Sequence, residues 1–213
     1  MENKPAIYIA RHGITTWNKE ERIQGQSNNI PLSEEGVRQM EILGSHLSNL
    51  NTQFMAIISP MKRALESFEI INKYLLIPEQ EIFVIGDMKE MNFGEFEGLQ
   101  KKDIASHCFF EKRKNNKWSK KYPRGESYED VFQRLKNSNI IDIYLQAQKF
   151  NKSLLAIGHE SINRIIPLVL NPEIETNNIA VNNRQENDEI VVLQEGKREK
   201  YNYITKKHES NND

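Results

Sequence analysis

The chain has 213 residues, of which 38% are hydrophobic and 28% are charged. This composition is typical of one folded domain and excludes a disordered or low-complexity protein. The 29 Lys and Arg residues nearly balance the 30 Asp and Glu residues, and the net charge of -1 gives no general attraction to nucleic acid or to an anionic membrane. Any anion that the protein binds must therefore be held by a local cluster of positive groups.

The compartment is predicted from what the sequence lacks. No apolar run approaches the ~20 residues of a membrane-spanning helix, and the N-terminal stretch MENKPAIYIARHG has no signal-peptide layout. The single cysteine, Cys108, cannot form a disulfide within the chain. We therefore expect a cytoplasmic protein in a reducing compartment, without a membrane or nucleic-acid partner.

Short apolar strands alternate with amphipathic helices along the chain. We predict strands at residues 6–10, 55–59, 81–86 and 153–158, and two closing strands at 189–194 and 200–205. Helices are predicted from 34 to about 50, near 63 to 75, from 128 to 150, and through 165 and 168.

This alternation predicts an α/β fold, a three-layer α/β/α sandwich with a largely parallel central sheet. We expect a single catalytic domain over residues 1–205, with a lid-like insertion at about 99–127. The polar residues 206–213 are predicted to form a frayed tail.

Five polar residues follow the first four predicted strands, and ligands of parallel sheets bind outside the carboxyl ends of the strands. These residues are Arg11, His12, Arg63, Glu90 and His159. The sheet would bring two imidazole rings and two guanidinium groups to one rim, where they can hold a doubly charged anion. The helix after His159 adds the positive end of its dipole. A phosphate monoester is the anion that this rim is expected to bind.

The same five residues predict a phosphoryl transfer that needs no metal and no other cofactor. In its neutral form, His12 can attack phosphorus and carry the phosphoryl group. The equatorial oxygens can be stabilised by Arg11, Arg63 and His159. The leaving alkoxide can take a proton from Glu90, which is the candidate general acid.

Four sequence motifs resemble those of the histidine phosphatase superfamily, in the branch of cofactor-dependent phosphoglycerate mutase. The stretch IYIARHGITTWNKEERIQGQSNNIPLSEEG resembles the opening signature, SPMKRALES the second arginine motif, MKEMNFGEFEG the acid motif, and AIGHESINRII the second histidine motif. The resemblance spans roughly residues 6–195 and implies a phosphoglycerate mutase-like fold. It also implies that Gly13, Asn18 and Gln24 line the phosphate pocket, although Asn18 can equally be a helix or turn cap. Ile14 departs from the family, which usually has Glu or Gln there.

A further stretch, KYPRGESYEDVFQRL, resembles part of the fructose-2,6-bisphosphatase domain. This resemblance implies that substrate is contacted by Arg113, Lys117, Tyr128 and Arg164. The basic residues 112–121 can equally form a solvated surface loop. That group has a neutral Gln where this chain has Glu160, which we include among the substrate-binding residues. Glu160 would repel a dianion unless it points away or pairs with a base.

We expect a phosphatase that acts on a small phosphorylated metabolite, such as a sugar phosphate or bisphosphate, as a monomer or homodimer. The segment between Glu90 and His159 is short, which resembles the phosphatases more than the mutases. A phosphoglycerate mutase is the first alternative, since it shares the first half-reaction. The second alternative is a noncatalytic module that binds a phosphorylated ligand.

Overall fold

The computed structural model describes residues 5–170, 184–205 and 207–210, the last four by their backbone. Within these residues, strands lie at Ile7–Arg11 (β1), Phe54–Ile58 (β2), Ile82–Val84 (β3), Ser153–Gly158 (β4), Glu189–Gln194 (β5), Lys197–Asn202 (β6) and Lys207–Ser210 (β7). They form one seven-stranded sheet in the order β3-β2-β4-β1-β5-β6-β7.

The helices of the described residues are Thr16–Lys19 (α1), Glu34–Ser48 (α2), Lys62–Leu75 (α3), Lys101–Ile104 (α4), Cys108–Lys114 (α5), Tyr128–Lys136 (α6), Ile140–Lys149 (α7) and Glu160–Leu170 (α8). Single 3-10 turns lie at Glu79–Glu81, Gly86–Met88 and Gly94–Phe96. None of the described helices combines the length and the apolar character that crossing a bilayer requires.

The four neighbouring strands β3, β2, β4 and β1 run parallel, and β5, β6 and β7 continue the sheet in antiparallel pairing. Arg11 lies opposite Gly158 in the register of β1 and β4. The next residue, His12, donates its backbone N–H to the Gly158 carbonyl at 3.1 Å. The pairing therefore brings His12 and His159, which follow β1 and β4, to the same edge of the sheet.

Helices cover both faces of the sheet. On one face, α2 and α3 bury Met40, Leu43 and Phe68 against the strands. On the other face, α6, α7 and α8 form a second core that includes Leu135 and Ile165. The predicted three-layer α/β/α sandwich with a largely parallel sheet is confirmed.

Local sequence explains the elements that carry the site. Strands β2 and β4 are buried along their whole length, which is why they are continuous apolar runs rather than alternating patterns. Ser33 caps α2, because its hydroxyl accepts a hydrogen bond from the Gly36 N–H at 3.2 Å. Glu34 and Glu35 occupy the first turn of α2, where negative charge is favoured.

The helix predicted over residues 128–150 is two helices, so the prediction of one long helix was wrong. Asn137 is the C-cap of α6, and the Ser138 hydroxyl donates to the Leu135 carbonyl at 2.7 Å. Asn and Ser side chains compete for backbone hydrogen bonds in this way, which favours a break over a continuous helix.

Two strands differ from the sequence prediction by more than one residue at an end, whereas β1 and β2 are each shifted by one residue. Strand β3 is shorter than the predicted 81–86, because a 3-10 turn precedes it and another follows it. The last predicted strand, 200–205, begins earlier as β6. It begins there because Glu195 and Gly196 take φ angles of 51° and 74° in a tight turn after β5.

The tail predicted over 206–213 is not frayed at Lys207–Ser210, which pair antiparallel with β6. An edge strand presents a row of unpaired backbone donors and acceptors, and these pair with any chain that returns alongside it. Polar composition alone therefore led to a wrong prediction for these four residues.

Candidate active site

A cavity of about 330 Å³ opens at the carboxyl ends of the parallel strands. Four of the five predicted catalytic side chains line it: Arg11, His12, Arg63 and Glu90. His159 is fully buried next to them, with its ring centroid 5.1 Å from that of His12. The structure therefore gathers two imidazoles, two guanidiniums and one carboxyl group around one space, from segments far apart in the chain.

The hydrogen bond of the His12 ring fixes its tautomer. His12 Nδ1 lies 2.8 Å from the carbonyl oxygen of Gly13, which can only accept, so Nδ1 carries the proton. The lone pair is then on Nε2. Burial lowers the pKa of His12 well below its ordinary value, and the positive charges of Arg63 and Arg11 lower it further. The ring is therefore neutral at physiological pH, as a nucleophile must be.

Arg63, at the start of α3, is fully buried and is held by the loop after α1. Its terminal nitrogens donate to the carbonyls of Ser27 at 2.9 Å and Gly25 at 2.8 Å. Burial lowers the pKa of Arg63 to about 10, so it remains charged at neutral pH. The Nε atoms of Arg63 and Arg11 are buried and have no hydrogen-bond partner among the described residues. Buried cationic N–H groups of this kind favour an anionic ligand.

His159 is anchored from the neighbouring strand. Its Nε2 lies 2.7 Å from the hydroxyl of Ser59, the residue directly after β2. Its Nδ1 is buried without a hydrogen-bond partner in the part of the chain that the structure describes. Burial lowers the pKa of His159 well below its ordinary value, with a further contribution from Arg63. A bound dianion would oppose this effect and favour a protonated ring that donates to it.

Glu90 has the environment that a general acid needs. Its side chain is buried, and its two oxygens accept hydrogen bonds from the backbone N–H groups of Met91 at 2.8 Å and Ser161 at 3.4 Å. Burial raises the pKa of Glu90, with a smaller contribution from the negative charge of Glu160. The protonated form is therefore favoured, as protonation of a leaving group requires.

Comparison with known protein families agrees with this geometry. The model of the histidine phosphatase superfamily (branch 1) matches residues 7–198. The chain belongs to this superfamily. The resemblance found in the four motifs is thereby confirmed.

Two curated relatives of this histidine phosphatase superfamily member carry phosphatase names. It is 33% identical over 130 residues to the uncharacterized phosphatase PhoE of Bacillus subtilis (strain 168), which covers 61% of this chain and 60% of that protein. It is 27% identical over 164 residues to 6-phosphofructo-2-kinase/fructose-2,6-bisphosphatase 4 of Rattus norvegicus, which covers 76% of this chain and 32% of that protein. The chain thus spans less than two thirds of either relative.

Solved structures confirm the phosphoglycerate mutase-like fold. A mycobacterial glucosyl-3-phosphoglycerate phosphatase in complex with VO3 superposes with a TM-score of 0.75 at 18% identity, over 89% of this chain and 92% of that one. Bacillus stearothermophilus YhfR gives a TM-score of 0.72 at 23% identity, over 89% and 91% of the two chains. At such low identities the likeness concerns the fold alone.

Four of the eight residues assigned to phosphate or substrate binding line the cavity: Asn18, Gln24, Tyr128 and Glu160. Asn18 also caps α1, since its Oδ1 accepts from the Thr15 N–H at 3.0 Å and from the Thr15 hydroxyl at 2.9 Å. Asn18 therefore lies in the cavity wall and caps α1 at the same time. Its oxygen serves the cap, and its NH2 group is the part available to a ligand.

Gly13 is not placed in the cavity wall, contrary to what the resemblance implied. Its backbone N–H donates to the Ser67 hydroxyl at 3.0 Å. A Cβ at Gly13 would lie 2.5 Å from the Gly36 carbonyl oxygen, so α2 leaves no room for a side chain. The glycine is needed for close packing against α2 and for the carbonyl that orients His12.

Three basic residues predicted to contact substrate also lie outside the cavity wall. Arg113 is buried behind it, with its guanidinium carbon 4.7 Å from the ring centre of Tyr122 and 5.2 Å from that of Tyr128. Lys117 is half-buried between α5 and α6. Arg164 donates a hydrogen bond to Glu160 instead of facing the cavity.

Residues 99–127, which we call the roof segment, supply a different kind of wall. The roof segment contributes Lys101, Ile104, Ala105, Phe110 and Tyr122 to the cavity. Ile104 also belongs to a small hydrophobic cluster against which Phe110 and Tyr122 pack. Four of these five residues are apolar or aromatic, so the roof segment offers contact area rather than charge.

Several supporting residues were missed by sequence reasoning. The side-chain amide of Asn187 donates to the His12 carbonyl at 2.6 Å, and Arg11 donates to the Gln185 carbonyl at 3.3 Å. Ser59 and Ser67 are equally ordinary polar residues in sequence. No local pattern marks them, because their roles arise from contacts between distant segments. Among the described residues, no group of three His, Cys, Asp or Glu side chains is arranged to hold a metal ion.

Proposed function

We propose that this histidine phosphatase superfamily member hydrolyses small phosphate monoesters through a phosphohistidine on His12. The observation that carries the proposal is the Nδ1 hydrogen bond of His12 to Gly13, which leaves a neutral Nε2 at a cavity lined by Arg11 and Arg63. The phosphatase names of the relatives support the same reaction class.

In the first step, the lone pair of His12 Nε2 forms a bond to phosphorus while the ester P–O bond breaks. The departing oxygen takes the proton of Glu90, which becomes a carboxylate, and the alcohol leaves. The negative charge on the three equatorial oxygens is stabilised by Arg11, Arg63 and a protonated His159. The proton of His12 Nδ1 stays in its hydrogen bond to Gly13.

In the second step, water attacks the phosphoryl group from the side that the alcohol left. The Glu90 carboxylate takes a proton from this water, the P–N bond breaks, and its electron pair returns to His12 Nε2. Inorganic phosphate is released, and both Glu90 and His12 regain their starting protonation. The buried carboxyl group can perform both roles because its pKa is raised by burial.

A phosphoglycerate mutase would share the first step, but its phosphoryl group would return to a bound acceptor instead of water. A noncatalytic module that binds a phosphorylated ligand would need neither a neutral Nε2 on His12 nor a buried carboxyl group with a raised pKa beside it, so these two features favour an enzyme. Sugar phosphates are one substrate class within the proposal.

The test is release of inorganic phosphate from a panel of aryl phosphates, sugar phosphates and phosphoglycerates. Wild type should release phosphate, and His12→Ala should lose activity by a factor on the order of 10⁴–10⁶, as removal of a nucleophile does elsewhere. His46→Gln is the matched control, because His46 lies on α2 and stacks on Tyr201 away from the cavity. Isomerised phosphoglycerate without free phosphate would instead assign a mutase, and undiminished activity of His12→Ala would refute the mechanism.

A further inference from the structure

Glu160 is an acidic residue in the wall of a cavity built for an anion. It is the first residue of α8, and 28% of its side-chain surface is exposed to solvent. Its carboxylate accepts a hydrogen bond from Arg164 and lies 3.8 Å from Arg11 and 4.0 Å from Arg184. The carboxylate of Glu160 thus lies within 4.0 Å of three guanidinium groups.

This arrangement keeps Glu160 charged. Burial alone would raise the pKa of Glu160, but Arg11 and Arg164 more than offset it and lower the pKa below its ordinary value. Glu160 therefore carries a negative charge at neutral pH, whereas burial raises the pKa of Glu90 close by and favours its protonated form.

The charge of Glu160 changes what else the cavity can bind. Arg164 would otherwise attract a second acidic group of a substrate, but Glu160 already holds it by a hydrogen bond. Arg184 is held mainly by Glu186 at 2.8 Å, with Glu160 at 4.0 Å. A second phosphate or carboxylate here would meet the negative charge of Glu160 in a partly desolvated place, where repulsion is weakly screened. The wall also has two cations, Lys101 and Arg22. Lys101 is exposed, so water screens its charge, and Arg22 is already paired with Glu20 at 3.1 Å and donates to the Gly98 carbonyl.

The rest of the wall suits an alcohol without charge. Phe93, Ile104, Phe110 and Tyr122 give apolar and aromatic surface next to the catalytic groups. Burial raises the pKa of Tyr122 to about 12, so its hydroxyl stays neutral. These side chains can bury a hydrophobic leaving group. None of the four carries a charge that could stabilise a second anionic group.

We propose that Glu160 is a specificity-determining residue, which selects phosphate monoesters whose alcohol carries no second anionic group. The inference rests on the proposed phosphatase function and narrows its substrate class. It places uncharged, apolar or aromatic phosphate monoesters ahead of bisphosphates and phosphoglycerates.

Phenyl phosphate and 4-carboxyphenyl phosphate test this inference, since they differ by one carboxylate. In wild type, kcat/KM should favour phenyl phosphate by about tenfold or more, and Glu160→Gln should reduce that preference by about tenfold. The matched control is Glu186→Gln, which removes a charge that pairs with Arg184 at 2.8 Å but does not line the cavity. It should keep the wild-type preference. A merely structural role would lower both substrates equally and leave the ratio unchanged, which would overturn the inference.

Binding of phenylphosphonate and 4-carboxyphenylphosphonate to wild type, measured by calorimetry, needs neither turnover nor a folded variant. The uncharged analogue should bind about tenfold more tightly. Equal affinities would overturn the role of Glu160. A wild-type protein that binds with this preference but hydrolyses neither ester would contradict the proposed function and leave the inference on Glu160 standing.

Discussion

The two sides of the cavity are built on different principles. On the floor, at the ends of β1, β2 and β4, charged and polar side chains are fixed by backbone carbonyls and serine hydroxyls, as Arg63 is by Gly25 and Ser27. The roof segment is held by packing of rings, such as Tyr122 against Phe109 at 5.0 Å between centroids. Directional bonds fix the positions of reacting groups, whereas packed rings define which alcohol fits.

The comparison predicts that changes on the floor act mainly on the rate of the chemical step, and changes in the roof mainly on substrate binding. Interactions made only in the transition state alter kcat, while contacts made equally in the bound substrate alter KM. Single substitutions on the two sides of the cavity test this division.

The largest effect is expected from Glu90→Gln, which keeps the shape of the side chain but removes its proton. Alkyl phosphates, whose alkoxides leave poorly, should be slowed by about 10²–10⁴-fold, and 4-nitrophenyl phosphate far less. Fixed-time assays of phosphate release from both substrates measure the loss of rate for each. Glu95→Gln, with a half-exposed side chain, serves as the control. Equal slowing of the two substrates would remove Glu90 from the acid role.

Arg63→Ala should lower kcat by about 10²–10³-fold, because it removes a fixed cationic donor from the transferring group. Its neighbour on the exposed side, Lys62, gives a matched control, and Lys62→Ala should retain wild-type kcat. Steady-state kinetics with an aryl phosphate check both variants. A loss below a few-fold would show that Arg63 does not act on the phosphoryl group.

Phe110→Ala tests the roof segment and should have a smaller effect. We expect KM for an aryl phosphate to rise by about 3- to 10-fold, through lost apolar contact, with kcat nearly unchanged. Phe150→Ala, at an exposed position after α7, is the control. If kcat fell more than KM rose, the division between floor and roof would fail.

The smallest effect concerns stability. Since burial raises the pKa of Glu90 above its ordinary 4.5, the folded protein keeps a proton there that the unfolded chain releases. The free energy of unfolding of wild type therefore falls as pH rises from about 4.5 through the raised pKa of Glu90. In Glu90→Gln the side chain does not titrate, so this decrease is absent. The Tm of the variant relative to wild type should increase from pH 4 to pH 8 in thermal scans, roughly following this linkage. A flat or declining difference would contradict a buried, protonated Glu90.

The lowered pKa values of His12 and His159 change stability with pH in the opposite direction. Both are lowered below the ordinary 6.5, so their contribution to stability is present above that pH and is lost as pH falls through the lowered values. Wild type and Glu90→Gln share this term, and it cancels in the comparison of their Tm values.

Three residues of the floor could be predicted from their positions alone, because they directly follow buried strands. Arg11, His12 and His159 sit at the ends of apolar runs, and parallel pairing brings such ends together whatever the details of packing. The layers of the fold were predictable for the same reason, since alternating strands and helices allow few arrangements.

Other parts depended on contacts that the sequence does not reveal. Gly13 was assigned to phosphate, but its N–H is used by Ser67, more than 50 residues away. Likewise, the partners of Glu160 include Arg184, which no helical or strand period connects to it. The break between α6 and α7 is an exception, because Asn137 and Ser138 are visible signals that favour a turn.

The most direct test of the account is to trap the intermediate. Wild type mixed with a ³²P-labelled aryl phosphate and quenched within milliseconds in base should carry label that is stable in base and lost in acid. Peptide mapping should locate the label on His12, and His12→Ala should carry none. Label on another residue, or full turnover without labelled protein at any time point, would contradict the claim that His12 carries the phosphoryl group.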